Sequence, residues 1–395
     1  MAESPCAAQA WSDSVKIRSK AVRWTALIPL MMMLVAPLAV AGSSVAGVSA
    51  QSALSCAPLE VAPQAAAAEQ PAAATPAAEL TKVTMGYVPA SIFAPIFVAK
   101  EKGYFAEQGI DMNLEPLPGG SDMVLLTASG DFDAGIGGTG PAFFNAVASG
   151  LPIKVIAPGH QEGSPVATPL MISKANCDSG AIKSVADLKG KKVSVNARGA
   201  TEYWLAQALG TAGLTLDDIQ LETLAFPDAV VALQSGAIDA AMVGEPLATK
   251  AEQDGIAVRL LSDFPVQNIQ PTMIFANQKW LDENPQLATG LVTAYLKAAR
   301  DLTNGGFDDP ATLAIIEQYT NVPADLIKES VKPVYSLNGE IDLNSINTLQ
   351  QFFRDRGQLE YDENVDPATF VDMQFVNGAV AQIGTVATPV ATPTS

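Results

Sequence analysis
The chain has 395 residues, 48% of them apolar, and a formal net charge of −18. Its length supplies material for two domains, while its charge argues against nucleic acid or an anionic lipid surface as partner, since both are bound through clustered Lys and Arg. The single histidine, His160, and three cysteines without metal-ligand spacing argue against a metal centre and a Cys/His nucleophile pair, and no cofactor is expected.

Residues 1–50 carry Lys16, Arg18, Lys20 and Arg23, then an apolar run from Leu27 to Val40, then small residues. This is the layout of a secretory signal with a long basic region; the alternative is a membrane anchor, because the run is near the lower length limit for spanning. Ala39-Val40-Ala41 and Val48-Ser49-Ala50 both suit signal peptidase. Ala53-Leu54-Ser55-Cys56 resembles a bacterial lipoprotein box, with imperfect residue order. A lipidated Cys56 would hold the protein on the outer face of the cell membrane, and an ordinary thiol in a leader remnant is the other reading. Residues 51–80, rich in Ala and Pro, cannot bury a core and read as a solvated tether.

The first folded unit starts with a strand at Lys82–Val88, closed by Pro89. Ser91 is placed to cap a helix carrying Ile92, Phe93, Ile96 and Phe97, which ends before Gly103. A strand at Met112–Leu117, a helix capped by Ser121, and a strand at Ala134–Ile136 follow, and Gly137-Gly138-Thr139-Gly140-Pro141 leads into a further helix. Strands alternating with helices of about 10 to 15 residues make a parallel sheet, and ligands lie beyond the carboxyl ends of such strands. The strand at Ile153–Ala157 places His160 at another such end, either at a ligand or on a solvent-facing loop. Leu170–Ile172 reads as an extended segment leaving this unit, and Cys177 falls in a polar loop as an inert or exposed thiol.

A second unit repeats the plan, with strands at Lys191–Val195, Ile219–Ala225 and Ala240–Val243 and helices after Asn196 and Pro227. Ser129-Gly130-Asp131-Phe132-Asp133-Ala134 recurs 106 residues later as Ser235-Gly236-Ala237-Ile238-Asp239-Ala240, and Leu114-Glu115-Pro116-Leu117 recurs 107 residues later as Leu221-Glu222-Thr223-Leu224. Two motifs in the same order mark two homologous lobes. The chain then crosses back through Thr272–Ala276, and helices at 285–302, 309–319, 323–331, 345–354 and 367–377 are expected to complete the first lobe. Lobe 1 is thus residues 81–170 with 271–384, lobe 2 is residues 171–270, and crossings near 168–174 and 268–276 form a hinge. Residues 385–395, rich in Thr, Pro and Ala, read as a disordered tail.

Gly86-Tyr87-Val88-Pro89, the run Phe97 to Gly109, the run Ser184 to Val193, the paired Ser-Gly-x-x-Asp-Ala motifs and Glu245-Pro246 together resemble the solute-binding proteins of ABC importers in the nitrate/sulfonate/taurine and thiamine-pyrimidine group. The similarity runs from about Val83 to Leu302. It implies an α/β, two-lobed periplasmic-binding-protein-like fold of type II, with two Rossmann-like lobes joined by two crossover segments. It also implies an extracytoplasmic protein whose partners are a small-molecule ligand and an importer permease. Carried over corner by corner, the expected ligand residues are Tyr87, Pro89, Ser91, Phe93, Gly138, Thr139, Arg198, Thr201, Glu202, Tyr203, Trp204, Phe226 and Glu245, with His160 beside them.

Glu202 and Glu245 oppose an anion and suit ring N–H donors, while the aromatic residues suit stacking on a flat ring, although Phe93 and Trp204 fit core positions equally well. The expected ligand is therefore a neutral flat heterocycle, a flavin such as riboflavin or a thiamine-related pyrimidine. A sulfonate or nitrate-type anion, which Arg198 favours, is the alternative. An enzyme on the same fold and a sensory domain are the competing classes; the export signal and the absence of a His, Cys or metal cluster argue for a binding protein.

Overall fold
The computed structural model describes residues 79–387, apart from 118, 119 and 268. The expected signal segment, most of the tether, Cys56 and the chain beyond 387 lie outside the described residues.

Strand β1 is Thr81–Tyr87; a 3-10 turn at Ser91–Phe93 follows and continues as α1, Ala94–Glu101. Ser91 does not cap this helix, because the capping position falls on Ala90 and Ser91 is buried one residue further on. Next come β2 (Ile110–Pro116), α2 (Gly120–Ser129), β3 (Ala134–Gly138), α3 (Pro141–Ala148), β4 (Ile153–Pro158) and the two-residue β5 (His160–Gln161). Ser121 lies inside the first turn of α2, not at its cap. The second unit comprises β6 (Leu170–Ser173), α4 (Lys174–Asp178), β7 (Lys192–Val195), α5 (Ala200–Gly210), β8 (Gln220–Thr223), α6 (Phe226–Ser235), β9 (Ala240–Met242), α7 (Leu247–Gln253) and β10 (Ala257–Leu261). The chain then runs through β11 (Thr272–Asn277), α8 (Gln278–Glu283), α9 (Pro285–Thr303), α10 (Pro310–Thr320), α11 (Ala324–Glu329), β12 (Val334–Tyr335), α12 (Leu343–Asp355) and α13 (Gln374–Ile383).

The two five-stranded sheets share one plan, β2-β1-β3-β11-β4 in the first lobe and β8-β7-β9-β6-β10 in the second. In each, the first three strands are parallel, whereas β11 and β6 run antiparallel to both neighbours. The inserted strands are apolar on both faces, since every residue of β6 and of β11 is buried, as a strand covered on both sides requires. This moves the first crossing. Leu170–Ile172, read from sequence as a connecting segment, already belongs to the second sheet, and the chain passes between lobes at 162–169 and again at 262–271. The two passages are tied together: Val166 N donates to Ser262 O at 2.9 Å and Ser164 Oγ to Asp263 Oδ2 at 2.7 Å.

The repeated motif has a mechanical role. Thr84 N donates to Asp133 Oδ2 at 2.8 Å while Asp133 N donates to Thr84 O at 3.0 Å. In the second lobe Lys192 N donates to Asp239 Oδ2 at 3.0 Å and Asp239 N to Lys192 O at 2.9 Å. Each aspartate thus clamps the entrance of the third strand to the first strand of its sheet. Cys177 lies in α4 and is buried, not in the polar loop expected of it.

The C-terminal helices depart from expectation at two points. Helix α12 packs on α3 and on α5, and so spans both lobes instead of only completing the first. Two adjacent rings make these contacts, with Phe353 6.1 Å from Phe144 in the first lobe and Phe352 5.1 Å from Tyr203 in the second. The segment expected as one helix from 367 to 377 forms a 3-10 turn at Pro367–Thr369 and a bridge from Val371 to Val155 before α13 begins at Gln374. The chain also remains attached past 384, since Val386 N donates to Asn338 Oδ1 at 2.9 Å. We expect Asp133→Ala and Asp239→Ala each to lower the unfolding free energy by about 1–3 kcal/mol, measured by urea denaturation; unchanged midpoints would mean that the clamps carry no stability.

Candidate functional site
Because β1, β2 and β3 are parallel, their carboxyl ends lie along one edge of the first sheet; β7, β8 and β9 do the same in the second. The corner after β3 and the corner after β7 come together: a Cβ added to Gly140 would lie 4.0 Å from the Cα of Gly199. These two glycines are the capping residues of α3 and α5, and neither helix start is closed by a side-chain hydrogen bond. The first turn of α3 also holds no acidic residue. Away from the corners, α4, α8, α10 and α12 are capped by Ser173, Asn277, Asp309 and Asp342, each accepting from a first-turn backbone N–H, whereas α9, α11 and α13 have no side-chain cap. The first amides of a helix have no intrahelical acceptor. In α3 Pro141 has no amide, and in α5, whose first turn carries Glu202, the Glu202 N–H donates to Gly199 O at 2.9 Å, so the amides left for something else to satisfy are those of Ala142, Phe143, Ala200 and Thr201.

Thr139 is buried beside this corner, its N–H and hydroxyl both donating to Pro271 O, at 2.9 and 3.3 Å, which joins the corner to the second passage between lobes. Gly138 ends β3, Pro89 is exposed after β1, and Thr201 donates to Asn196 Oδ1 at the start of α5. Arg198 keeps its side chain 49% exposed while bonding to Glu202 Oε1 at 3.1 Å.

Both glutamates assigned from sequence to the ligand are committed within the protein. Glu202 is fully buried and accepts from Arg198, from Arg356 Nε at 3.2 Å and from Gln358 Nε2 at 2.8 Å. Glu245 accepts from Arg259 at 2.6 Å and from the N–H and hydroxyl of Thr249, both at 3.1 Å. Their charge is balanced by protein donors, so neither presents an open acceptor.

Most of the aromatic residues are likewise withdrawn. Tyr87 packs edge-on against Phe97 at 5.1 Å and close to Tyr319, and Phe93 is buried in the same core. Tyr203 and Trp204 are buried together, with centroids 5.5 Å apart. Phe226 alone of this group is partly exposed; its ring lies over Gly244, where an added Cβ would meet it at 2.8 Å.

His160 does not lie on a solvent-facing loop, one of the two environments expected for it. It is buried in β5, opposite Tyr335 of β12, with Nδ1 2.8 Å from Thr272 Oγ1, and burial pushes its pKa down to about 4. Among the described residues no cluster of His, Cys, Asp or Glu could hold a metal ion.

Sequence reasoning missed Glu162. Buried where the chain leaves the first lobe, it accepts from Ala167 N at 2.7 Å, Thr168 Oγ1 at 3.2 Å and Trp204 Nε1 at 3.0 Å. Burial raises its pKa despite these donors. The indole offered the one sequence signal, because a buried Trp N–H needs an acceptor.

The family model described as "NMT1/THI5 like" matches residues 90–305. The chain is 26% identical over 290 residues to the nitrate/nitrite binding protein NrtA of Nostoc sp., covering 69% of this chain and 64% of that protein. It is 29% identical over 231 residues to the riboflavin-binding protein RibY of Chloroflexus aurantiacus, covering 55% and 61%. It therefore spans less than two thirds of the length of either relative. The periplasmic aliphatic sulphonate binding protein SsuA of Escherichia coli superposes with a TM-score of 0.62 at 22% identity, over 74% of this chain and 92% of that one. This likeness establishes the two-lobed fold of the type II periplasmic binding proteins.

Because His160 binds its proton more weakly in the folded chain, stability is complete above about pH 6.5 and falls as the pH drops toward 4, by about 3 kcal/mol in total. As the single histidine, it gives one Hε1 signal in proton NMR. We expect that signal to stay unchanged from pH 8 to about pH 5; a midpoint near 6.5 would place the ring in solvent.

Proposed function
The chain belongs to the NMT1/THI5-like family, and from that premise we propose that it is an extracytoplasmic solute-binding protein that closes two lobes on a small oxyanion and delivers it to the permease of an ABC importer. Residues 1–50 serve as export signal and 51–80 as tether, with Cys56 as a lipid attachment point. With the passages at 162–169 and 262–271, lobe 1 comprises 81–161 and 272–384, and lobe 2 comprises 170–261.

The observation that carries the ligand class is the meeting of two uncapped helix starts, at Gly140 and Gly199. Helix N-termini favour anions through their free amides and dipole, and a buried anion requires such donors. Arg198 stands at the same corner with half its side chain exposed. The residues that argued against an anion from sequence do not oppose it here, since Glu202 and Glu245 are paired with arginines. A flat heterocycle is the second reading, favoured by the partly exposed Phe226 ring and by the riboflavin-binding relative. In either case closure follows from contacts to both lobes that exist only in the closed state.

Nitrate, alkylsulfonates and bicarbonate, screened beside riboflavin and pyrimidines, test the ligand class by thermal unfolding. An oxyanion at about 100 times its Kd adds about 2.7 kcal/mol, and Arg198→Ala is expected to weaken its binding about tenfold, the value of one charge-assisted bond. Stabilisation by a ring compound alone would select the second reading, and chemical conversion of the added compound would make the protein an enzyme.

A further inference from the structure
Glu202 stands in the first turn of α5, four residues after Arg198, with its carboxylate fully buried. Two arginines reach the same oxygen of it. Arg198 Nη1 lies 3.1 Å from Glu202 Oε1 and Arg356 Nε lies 3.2 Å from it, while Gln358 Nε2 donates to Oε2 at 2.8 Å. Among the described residues, the one other acid paired with either arginine is Asp217, 3.4 Å from Arg356 Nη1. Asp217 keeps 85% of its side chain in water, where an ion pair is worth little. The group therefore holds two guanidinium charges against one buried carboxylate.

The two arginines are held differently. Arg198 stands half exposed at the corner where the helix starts meet, and among the described residues Glu202 is the one partner of its guanidinium. Arg356 lies 154 residues further along the chain than Glu202, just past α12, on a stretch fastened to both lobes. Phe353 rests on Phe144 of α3 and Phe352 on Tyr203 of α5. Asn145 of α3 donates to Gln358 O at 3.4 Å and accepts from Glu360 N at 3.0 Å. The backbone that carries Arg356 is thus fixed beside Glu202, whereas the Arg198 side chain has room to turn.

A carboxylate removed from water needs a cation that stays with it. If Arg198 were its sole cation, a solute anion could recruit Arg198 only by leaving Glu202 buried and unpaired. With Arg356 in place, Glu202 remains paired whichever way Arg198 turns. We propose that Arg356 is a positioning residue of the solute site: it takes up the charge of Glu202 and so leaves the Arg198 guanidinium to the solute anion. The inference rests on the oxyanion reading and deepens it, because it names the charge that the solute meets and the residue that keeps it available.

Three variants of the full chain, titrated calorimetrically with nitrate, methanesulfonate and bicarbonate, test this. Arg356→Gln should weaken oxyanion binding about tenfold, the value of one charge-assisted bond, because Glu202 then claims Arg198. Glu202→Gln should bind the oxyanion as tightly as wild type or more tightly, since both guanidinium groups are released from the carboxylate. Gln358 Oε1, buried without a hydrogen-bond partner, can accept from the amide introduced there. The double variant Glu202→Gln/Arg356→Gln should return to within about threefold of wild-type affinity, the coupling expected of two groups in contact. A merely structural role for Arg356 would leave the double variant at least as weak as Arg356→Gln. If Arg356→Gln fails to fold, the other two variants still decide, because neither leaves a buried carboxylate short of a cation.

Unchanged affinity in Arg356→Gln, weaker binding in Glu202→Gln, or a double variant that binds about tenfold more weakly than wild type would each overturn the inference and leave the oxyanion reading standing. A wild-type chain that binds none of the three anions overturns both.

Discussion
The antiparallel strand that opens each entry into a lobe is the constraint on which the rest of the structure depends. Each sheet has four strands running one way, and between the third and the fourth lies an antiparallel strand that the chain reaches only at a crossing, β6 on the way out and β11 on the way back. The second sheet can form only after the first passage, and the first sheet is complete only when the chain has returned through the second. Since β6 and β11 are buried throughout, their burial contributes hydrophobic free energy that holds the passages in place. The parallel strands in turn keep the helix starts on one edge of each lobe, and the passages at 162–169 and 262–271 leave those edges facing each other at Gly140 and Gly199.

Burial then decides what that edge can bind. A carboxylate removed from water must find donors, and Glu162, Glu202 and Glu245 each accept at least three hydrogen bonds or ion pairs from the protein. Two of these groups also fasten distant segments: Glu202 ties α5 to Arg356 and Gln358 beyond α12, and Glu162 ties the first passage to Trp204. What remains open at the meeting of the lobes is a set of backbone amides and the exposed half of Arg198. The acids are structural cross-links, and the donors are left for the solute proposed above.

The repeated plan is legible in the sequence because its cause is local. The motif ending in Asp133 and Asp239 clamps the same two strands in both lobes, so the residue type and its spacing recur together. Leu170–Ile172 reads as a connecting segment because buried apolar residues look alike whether they link two lobes or fill the middle of a sheet. The aromatic residues mislead for a related reason. Alternation places Tyr87 and Trp204 beside corners, but only tertiary packing puts Tyr87 against Phe97 and aims the Trp204 indole at Glu162. Of the three partners of Glu202, Arg198 is local, four residues before it, but Arg356 and Gln358 lie about 150 residues further along the chain, and no local pattern announces a contact at that separation.

The most direct measurement is backbone NMR of the 15N-labelled chain titrated with nitrate, an alkylsulfonate and riboflavin in turn. An oxyanion should move the amides of Ala142 and Phe143 together with those of Ala200 and Thr201, all with one Kd, because one anion bonds to both helix starts. Shifts in only one lobe, or shifts near Phe226 with riboflavin and none with any oxyanion, would contradict a site built from the helix starts at Gly140 and Gly199.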